Sequence, residues 1–489
     1  MNKPVHAREL LFGDLWEYDT APQGSDFVQY ADQYGHFIDG EFVEADDYFT
    51  STNPATEEPI AEFGQGTAET VDRAVAAARA AYEGPWGSMP DSERAKYIFR
   101  IGRMLKEKAR EISVLETMDG GKPIKESRDV DIPLAAAHFF HYAGWADKLE
   151  YAFPGGEPKS LGVCGQIIPW NFPLLMAAWK IAPALATGNT VVIKPAETTP
   201  LTAMKLAEII QEAGLPDGVV NIVNGAGETG SAIVDHDDVD KVAFTGSTQV
   251  GKIIQRALAG TDKKLTLELG GKGSNIVFDD AAIDQAVEGI VNGIYFNQGH
   301  VCCAGSRLLV QESIHDEVIA KLKHRMETLR VGDPLDKNTD VGAINSKEQL
   351  DKISSLVEQG VEEGGELYQP DCDVPNTGYF FRPSFFTDVT PSHTVAQKEI
   401  FGPVLSVMTF RTPDEAVTKA NNTPYGLACG VWTDKGSKLF NVAGELDCGI
   451  VWGNTYNKFD PASPFGGYKE SGFGREGGRQ GLLAYLKMD

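Results

Sequence analysis

Between residues 190 and 269 short β-branched runs alternate with helical spacings, and that alternation leaves few folds open. Thr190-Val191-Val192-Ile193 predicts a buried strand. Apolar residues at Ala203, Leu206, Ile209 and Ile210 predict a helix, stopped at Gly214 with Pro216 just beyond. Residues 219–223 and Val242-Ala243-Phe244 read as strands. Thr245-Gly246-Ser247 then turns into a helix over residues 250–258, and 265–269 is a fifth apolar stretch. The repeated βα pattern predicts an α/β fold with a doubly wound, parallel sheet. A second α/β unit starts at Ser274-Asn275-Ile276-Val277-Phe278, where Asp279 or Asp280 is expected to cap a helix running toward Tyr295. The boundary between the units falls near residue 272.

The chain has 489 residues, enough for two or three domains, and is 42% hydrophobic and 23% charged, as ordinary globular proteins are. Its formal net charge is −26, so no nucleic acid and no anionic membrane is expected as a partner, because phosphates are bound by Lys and Arg. No apolar run is long enough to span a bilayer. The six cysteines (164, 302, 303, 372, 429 and 448) form no CxxC pair and no Cys/His ligand spacing, so no metal site is expected. A large chain so poor in cysteine fits a reducing, cytoplasmic compartment. Cys164, Cys429 and Cys448 read as core, and Cys372 as a loop residue. Residues 1–35 carry Glu9, Asp14, Glu17, Asp19 and Asp26. They are too acidic for a transit peptide and read as an arm laid over the folded body.

Chemistry concentrates in two glycine-flanked segments. In Phe296-Asn297-Gln298-Gly299-His300-Val301-Cys302-Cys303-Ala304-Gly305 a thiol sits beside glycines. Leu267-Glu268-Leu269-Gly270-Gly271 places a carboxylate 34 residues upstream (302 − 268). Glycines let the backbone approach a ligand closely, since no Cβ stands in the way. The pair suggests a covalent enzyme with its own general base.

Five further segments accompany them: Ile167-Ile168-Pro169-Trp170-Asn171-Phe172-Pro173, Lys194-Pro195-Ala196-Glu197, Phe244-Thr245-Gly246-Ser247-Thr248, Glu399-Ile400-Phe401-Gly402-Pro403 and Ser463-Pro464-Phe465-Gly466-Gly467-Tyr468-Lys469. In this order the seven resemble the NAD(P)-dependent aldehyde dehydrogenase superfamily over residues 36–486. The resemblance implies a Rossmann-type NAD-binding domain (36–142 and 162–272), a catalytic domain (273–470) and small oligomerisation elements (143–161 and 471–489). It implies oxidation of an aldehyde to a carboxylate through a thiohemiacetal and a thioester on Cys302. The family's spacing, counted from Gly299, implies Cys302 over Cys303 as the nucleophile. Asn171 and the Cys302 N–H would donate to the oxyanion, Glu268 would activate the hydrolytic water, and Lys180 and Glu476 match a proton relay to it.

The same resemblance assigns Lys194 and Glu197 to the adenine ribose and Gly246 and Ser247 to the pyrophosphate. Ile167, Ile168, Pro169, Trp170, Gly227 and Leu269 would line the cofactor cleft, Glu399 would bond the nicotinamide ribose and Phe401 would pack against the ring. A carboxylate at 197 repels a 2′-phosphate, which favours NAD over NADP. Phe172, Met176, Trp179, Val301, Cys303, Phe459 and Phe465 would line an apolar tunnel for a neutral, medium-sized aldehyde, with Lys458 and Asp460 at its mouth.

The chain departs from the family at His300, where glutamine is usual. The change either substitutes one hydrogen-bonding side chain for another or tunes the thiol. The connection between residues 148 and 162 is about eight residues shorter than in many relatives, and the β-rich tail that relatives add to a neighbour's sheet is reduced. These departures lead us to expect a homodimer rather than a tetramer, with a separate partner subunit as a further option. Two other readings stay open: a CoA-acylating relative, against which Glu268 argues, and a non-catalytic subunit, against which Cys302, Glu268 and Asn171 argue.

Overall fold

A computed structural model of the chain describes residues 19–488. The predicted βα alternation builds an eight-stranded sheet whose five central strands are parallel. These are β1 (Val163–Ile167), β2 (Thr190–Lys194), β3 (Val220–Ile222), β4 (Lys241–Thr245) and β5 (Lys264–Glu268). Their spatial order is β5-β4-β1-β2-β3, so the winding reverses between β1 and β4. Open α/β sheets bind ligands at such a reversal, beyond the carboxyl ends of the strands. The strands are almost wholly buried and correspondingly rich in Val and Ile, as strands covered on both faces must be. Helices α1 (Pro173–Ala186), α2 (Leu201–Glu212), α3 (Gly227–Asp235) and α4 (Thr248–Ala257) cover the sheet. Gly214 follows α2 with φ +70°, the left-handed conformation that ends helices and that glycine adopts without steric cost.

A second sheet has seven strands. Six run parallel: β6 (Ser274–Val277), β7 (Arg307–Gln311), β8 (Ser384–Thr387), β9 (Val404–Phe410), β10 (Ala428–Trp432) and β11 (Ile450–Gly453). Between the sheets the chain passes from Glu268 to Ser274, around the expected boundary.

Three expectations need correction. Helix α5 (Ile283–Tyr295) is not capped by Asp279 or Asp280; its N-cap is Ala282, which makes no side-chain cap bond. The Asp280 carboxylate instead accepts from Thr433 Oγ1 (2.7 Å) and Lys438 Nζ (2.9 Å), tying the end of β6 to the segment after β10. Gly472–Phe473, assigned to an oligomerisation element, is an antiparallel edge strand of the first sheet, paired with Leu267 and Glu268. Cys448 is only partly buried, unlike Cys164 and Cys429.

Residues 143–161 hold a short helix (Leu149–Ala152) and one strand (Pro158–Ser160). That strand pairs antiparallel with Leu486–Met488 of the same chain. The expected N-terminal arm falls partly outside the described residues. Its described part lies along the body: the Asp19 carbonyl accepts from Asn338 Nδ2 (2.7 Å), Phe27 faces the Arg110 guanidinium at 4.3 Å, and Gln33–Tyr34 is a strand paired with Pro59–Gly64.

Candidate active site

The carboxyl ends of the first sheet's strands place the carboxylate and the cofactor-side groups. Glu268 is the last residue of β5 and lies beside Thr245, the last of β4. The Gly246 N–H donates to the Glu268 carbonyl (3.0 Å) and the Ile168 N–H to that of Lys194 (3.1 Å). One sheet edge therefore presents Ile168, Lys194, Thr245, Gly246 and Glu268 together. Ser247 is the N-cap of α4, its hydroxyl accepting from the Val250 N–H (3.3 Å). The free N–H groups of this helix end and its dipole favour an anion.

The thiol is carried by a strained loop. Asn297, Gln298 and Gly299 take φ of 48°, 52° and 76°, three consecutive residues in the left-handed region. A Cβ on Gly299 would lie 2.1 Å from the Gly402 carbonyl oxygen. The buried Glu126 carboxylate holds the loop by accepting from the Asn297 N–H (2.8 Å), and Gln298 Nε2 donates to the Ala343 carbonyl (2.9 Å). Asn171 Nδ2 donates to the His300 carbonyl (2.8 Å), and Asn297 Nδ2 to the Asn171 carbonyl (2.8 Å). Close approach at Gly271, whose Cβ would meet the Cys302 carbonyl oxygen at 2.4 Å, explains the glycine there.

These elements enclose a cavity of about 180 Å³. Asn171, Glu268 and Cys302 line it. So do Pro169, Trp170, Gly246, Ser247, Leu269, Glu399 and Phe401, expected on the cofactor, and all seven expected tunnel residues, Phe172, Met176, Trp179, Val301, Cys303, Phe459 and Phe465. Trp179, Phe459 and Phe465 pack as a triangle with ring centroids 5.1–6.4 Å apart. Glu399 Oε1 accepts from the Gly271 N–H (2.9 Å).

Several expected residues lie off this cavity. Lys194 is 3.5 Å from Glu197 and donates to the Gly225 carbonyl (2.5 Å), beyond the ends of β2 and β3. Ile167 and Ile168 are buried behind it, and Gly227 is exposed at the start of α3. Lys180 and Glu476 form a buried ion pair. Lys458 and Asp460 are exposed on either side of Phe459.

Sequence reasoning missed Val130, Leu134, Leu175, Phe296, Gln349 and Lys352, which also line the cavity. Helical spacing could have found Leu175, since Phe172, Leu175, Met176 and Trp179 fall at i, i+3, i+4 and i+7. Val130 belongs to a π-helical turn (Ser127–Asp131), for which the local sequence carries no signal. Gln349 donates to the Ile400 and Phe401 carbonyls (3.0 and 2.9 Å), steadying Phe401 at φ +56°.

Burial sets the electrostatics. Neither carboxylate oxygen of Glu268 has a hydrogen-bonding partner in the protein, and burial, helped by the nearby Glu476, holds its carboxyl well above the usual range. The Cys303 thiol beside it, then burial, push the Cys302 thiol up. The His300 ring stacks on Phe401 (5.8 Å) and meets Trp170 edge-on (4.8 Å), and burial lowers its pKa to about 3, so it is neutral at physiological pH. Among the described residues no group of three or more His, Cys, Asp or Glu could hold a metal, and no helix is long and apolar enough to cross a membrane.

A thiol and a carboxyl face one cavity between an anion-favouring helix end and an aromatic tunnel, and a family model for aldehyde dehydrogenases matches residues 42–489. The chain belongs to the aldehyde dehydrogenase family. It is 46% identical over 468 residues to the mitochondrial aldehyde dehydrogenase of Homo sapiens, covering 92% of this chain and 90% of that protein. It is 45% identical over 480 residues to an aldehyde dehydrogenase of Alternaria alternata, covering 96% of each. Among solved structures, an NAD+ complex of the Bacillus cereus aldehyde dehydrogenase superposes with a TM-score of 0.91 at 42% identity, covering 94% of this chain and 96% of that one. Family members share the fold, and the two sheets joined at the cavity are this chain's version of it.

Proposed function

We propose that the chain oxidises a neutral aldehyde to the carboxylate with NAD by covalent catalysis on Cys302, followed by hydrolysis. The observation that carries this reading is the convergence of Cys302, Glu268 and Asn171 on one cavity. The residues present fit NAD. The N-terminus of α4 suits a pyrophosphate, and Glu197, 3.5 Å from Lys194 and half exposed, suits the hydroxyls of a ribose and opposes a 2′-phosphate. When bound, NAD would supply the hydride acceptor.

The protein's own groups do the rest. Cys302 attacks the carbonyl carbon once its proton has passed to a base. Asn171 Nδ2, now on the His300 carbonyl, lies where a turn of its amide would offer a donor to the oxyanion, beside the Cys302 N–H. Glu268 takes a proton from the water that hydrolyses the thioester, and the Lys180–Glu476 pair lies on the route by which that proton leaves. The tunnel rings exclude water from the acyl group. The short 143–161 connection and the three-residue strand Leu486–Met488 are the features on which we base a homodimer. A cytoplasmic location completes the reading.

NADH formation with an aldehyde panel, without CoA, tests the proposal. Turnover that disappears in Cys302→Ala is expected. Turnover that survives in that variant, or that requires CoA, would overturn the mechanism.

A further inference from the structure

One buried amide beside the thiol loop has no part in the steps assigned to Cys302, Glu268 and Asn171. Asn297 opens the left-handed run before the thiol, with φ 48° and ψ 41°, and is 1% exposed. Asparagine enters that region more readily than most residues with a Cβ. Its backbone is fastened on both sides: the N–H donates to Glu126 Oε2 (2.8 Å), and the carbonyl accepts from the His300 N–H (2.8 Å). Its side-chain Nδ2 donates to the Asn171 carbonyl (2.8 Å) and lies 3.4 Å from the His300 carbonyl oxygen.

The His300 carbonyl therefore has two amides within reach, Asn171 Nδ2 at 2.8 Å and Asn297 Nδ2 at 3.4 Å. A carbonyl oxygen has lone pairs for both. To serve an oxyanion, Asn171 must turn its amide away from this carbonyl, and a buried carbonyl left without a donor is costly. Asn297 Nδ2 is the group placed to take it over. Its bond to the Asn171 carbonyl also holds the Asn171 backbone while that side chain turns. Cys302 follows His300 by two residues, so a carbonyl kept paired steadies the thiol and its N–H as well.

What fixes Asn297 lies on another element. Glu126, also buried, precedes the π-helical turn Ser127–Asp131. That turn is pinned by Ser127 Oγ against Thr117 Oγ1 (2.9 Å) and by the buried ion pair of Asp131 with Lys122, and the Ile124 N–H just before it donates to the Pro334 carbonyl (2.8 Å). Neither Glu126 nor Asn297 is among the residues that line the cavity, so both act through other residues.

We propose that Asn297, fixed by Glu126, is a positioning residue for aldehyde oxidation, whose amide keeps the His300 carbonyl paired while Asn171 turns to the oxyanion. The inference rests on the reading of Asn171 as an oxyanion donor.

Steady-state kinetics of Asn297→Gly, alone and combined with Asn171→Ala, test it. Glycine takes φ 48° without strain and keeps the N–H for Glu126, so only the side-chain amide is lost. In Asn297→Gly, kcat should fall about 10-fold, less than the about 10²–10³-fold cost of losing an oxyanion donor outright. KM for the aldehyde and the Kd for NAD should change little. In the Asn171→Ala background the same substitution should cost almost nothing further, because a residue acting through Asn171 has nothing left to free. Glu126→Leu should repeat the loss in kcat, and Glu126→Gln, which keeps an acceptor, should retain far more of it. Full kcat in Asn297→Gly, or a loss of equal size in both backgrounds, would overturn the inference and leave the oxyanion reading standing. Full kcat in Asn171→Ala would overturn that reading and this inference with it. Should Asn297→Gly fail to fold, the Glu126 pair decides, and equal kcat in its Leu and Gln variants would overturn the inference.

Discussion

Glu268 shows how a single residue's environment sets its task. A carboxyl held above its usual range keeps its proton to higher pH than a free one, so the fraction able to act as base grows as pH rises. The Cys302 thiol is shifted in the same direction, so its thiolate also grows toward alkaline pH. Turnover is therefore expected to climb through the neutral range into the alkaline one, as a pH profile of kcat would show. Glu268→Gln should lower steady-state turnover by about 10²–10⁴-fold, the range of general-base contributions. Its first-turnover burst of NADH should persist, because the thioester still forms. A rapid-mixing trace with no burst would place Glu268 before the thioester instead. Both residues were legible in the sequence because a carboxylate and a thiol beside glycines are local patterns. The present hydrogen bond from Asn171 to the His300 carbonyl was not, because it joins residues 129 positions apart.

At the scale of elements, the loop before the thiol and the start of α4 carry the most specific backbone requirements. Gly299→Ala meets both a positive φ of 76° and the 2.1 Å approach to the Gly402 carbonyl oxygen. We expect it to cost about 1–3 kcal/mol, the range for held backbone strain, and to lower kcat at a little-changed Kd for NAD. Chemical denaturation alongside kinetics checks both halves of that statement. Ser247→Ala removes the cap of α4, worth about 1 kcal/mol. Because those N–H groups face the cofactor side of the cavity, isothermal titration should show weaker NAD binding than wild type. Strands β2–β5 and helices α2 and α4 were readable from periodicity to within a few residues; β1 was not read as a strand. Capping at Asp279 or Asp280 was misread because a tertiary partner, Thr433 with Lys438, claims the Asp280 carboxylate. Local propensity cannot anticipate a competitor that lies about 150 residues away in the chain.

Across the whole molecule, buried acids couple stability to pH. Burial raises Glu116 and Asp119 to about 7 and Glu126 to about 8, from ordinary values near 4. A folded state that binds these protons more tightly than the unfolded chain is favoured below the ordinary range and loses that advantage as pH rises through the folded values. Unfolding temperature should therefore fall between about pH 5 and pH 8, with a shallower slope in Glu126→Gln. A slope unchanged in the variant would remove Glu126 from the account. Light scattering should return the mass of two chains, and a mass of four would refute the homodimer.

Sequence alone determined what depends on neighbours along the chain. It dictated alternation of strand and helix, the positions of the glycines, the thiol and the carboxylate, and the apolar stripe of α1. The fold, once formed, decided what depends on residues meeting from a distance. It brought Glu268 to a cavity, buried the Lys180–Glu476 pair, and paired the C-terminal strand with residues 158–160. The physical reason is that hydrophobic burial and strand pairing are satisfied only by the packed whole, so contacts across hundreds of residues follow from packing and leave no periodic trace in the chain.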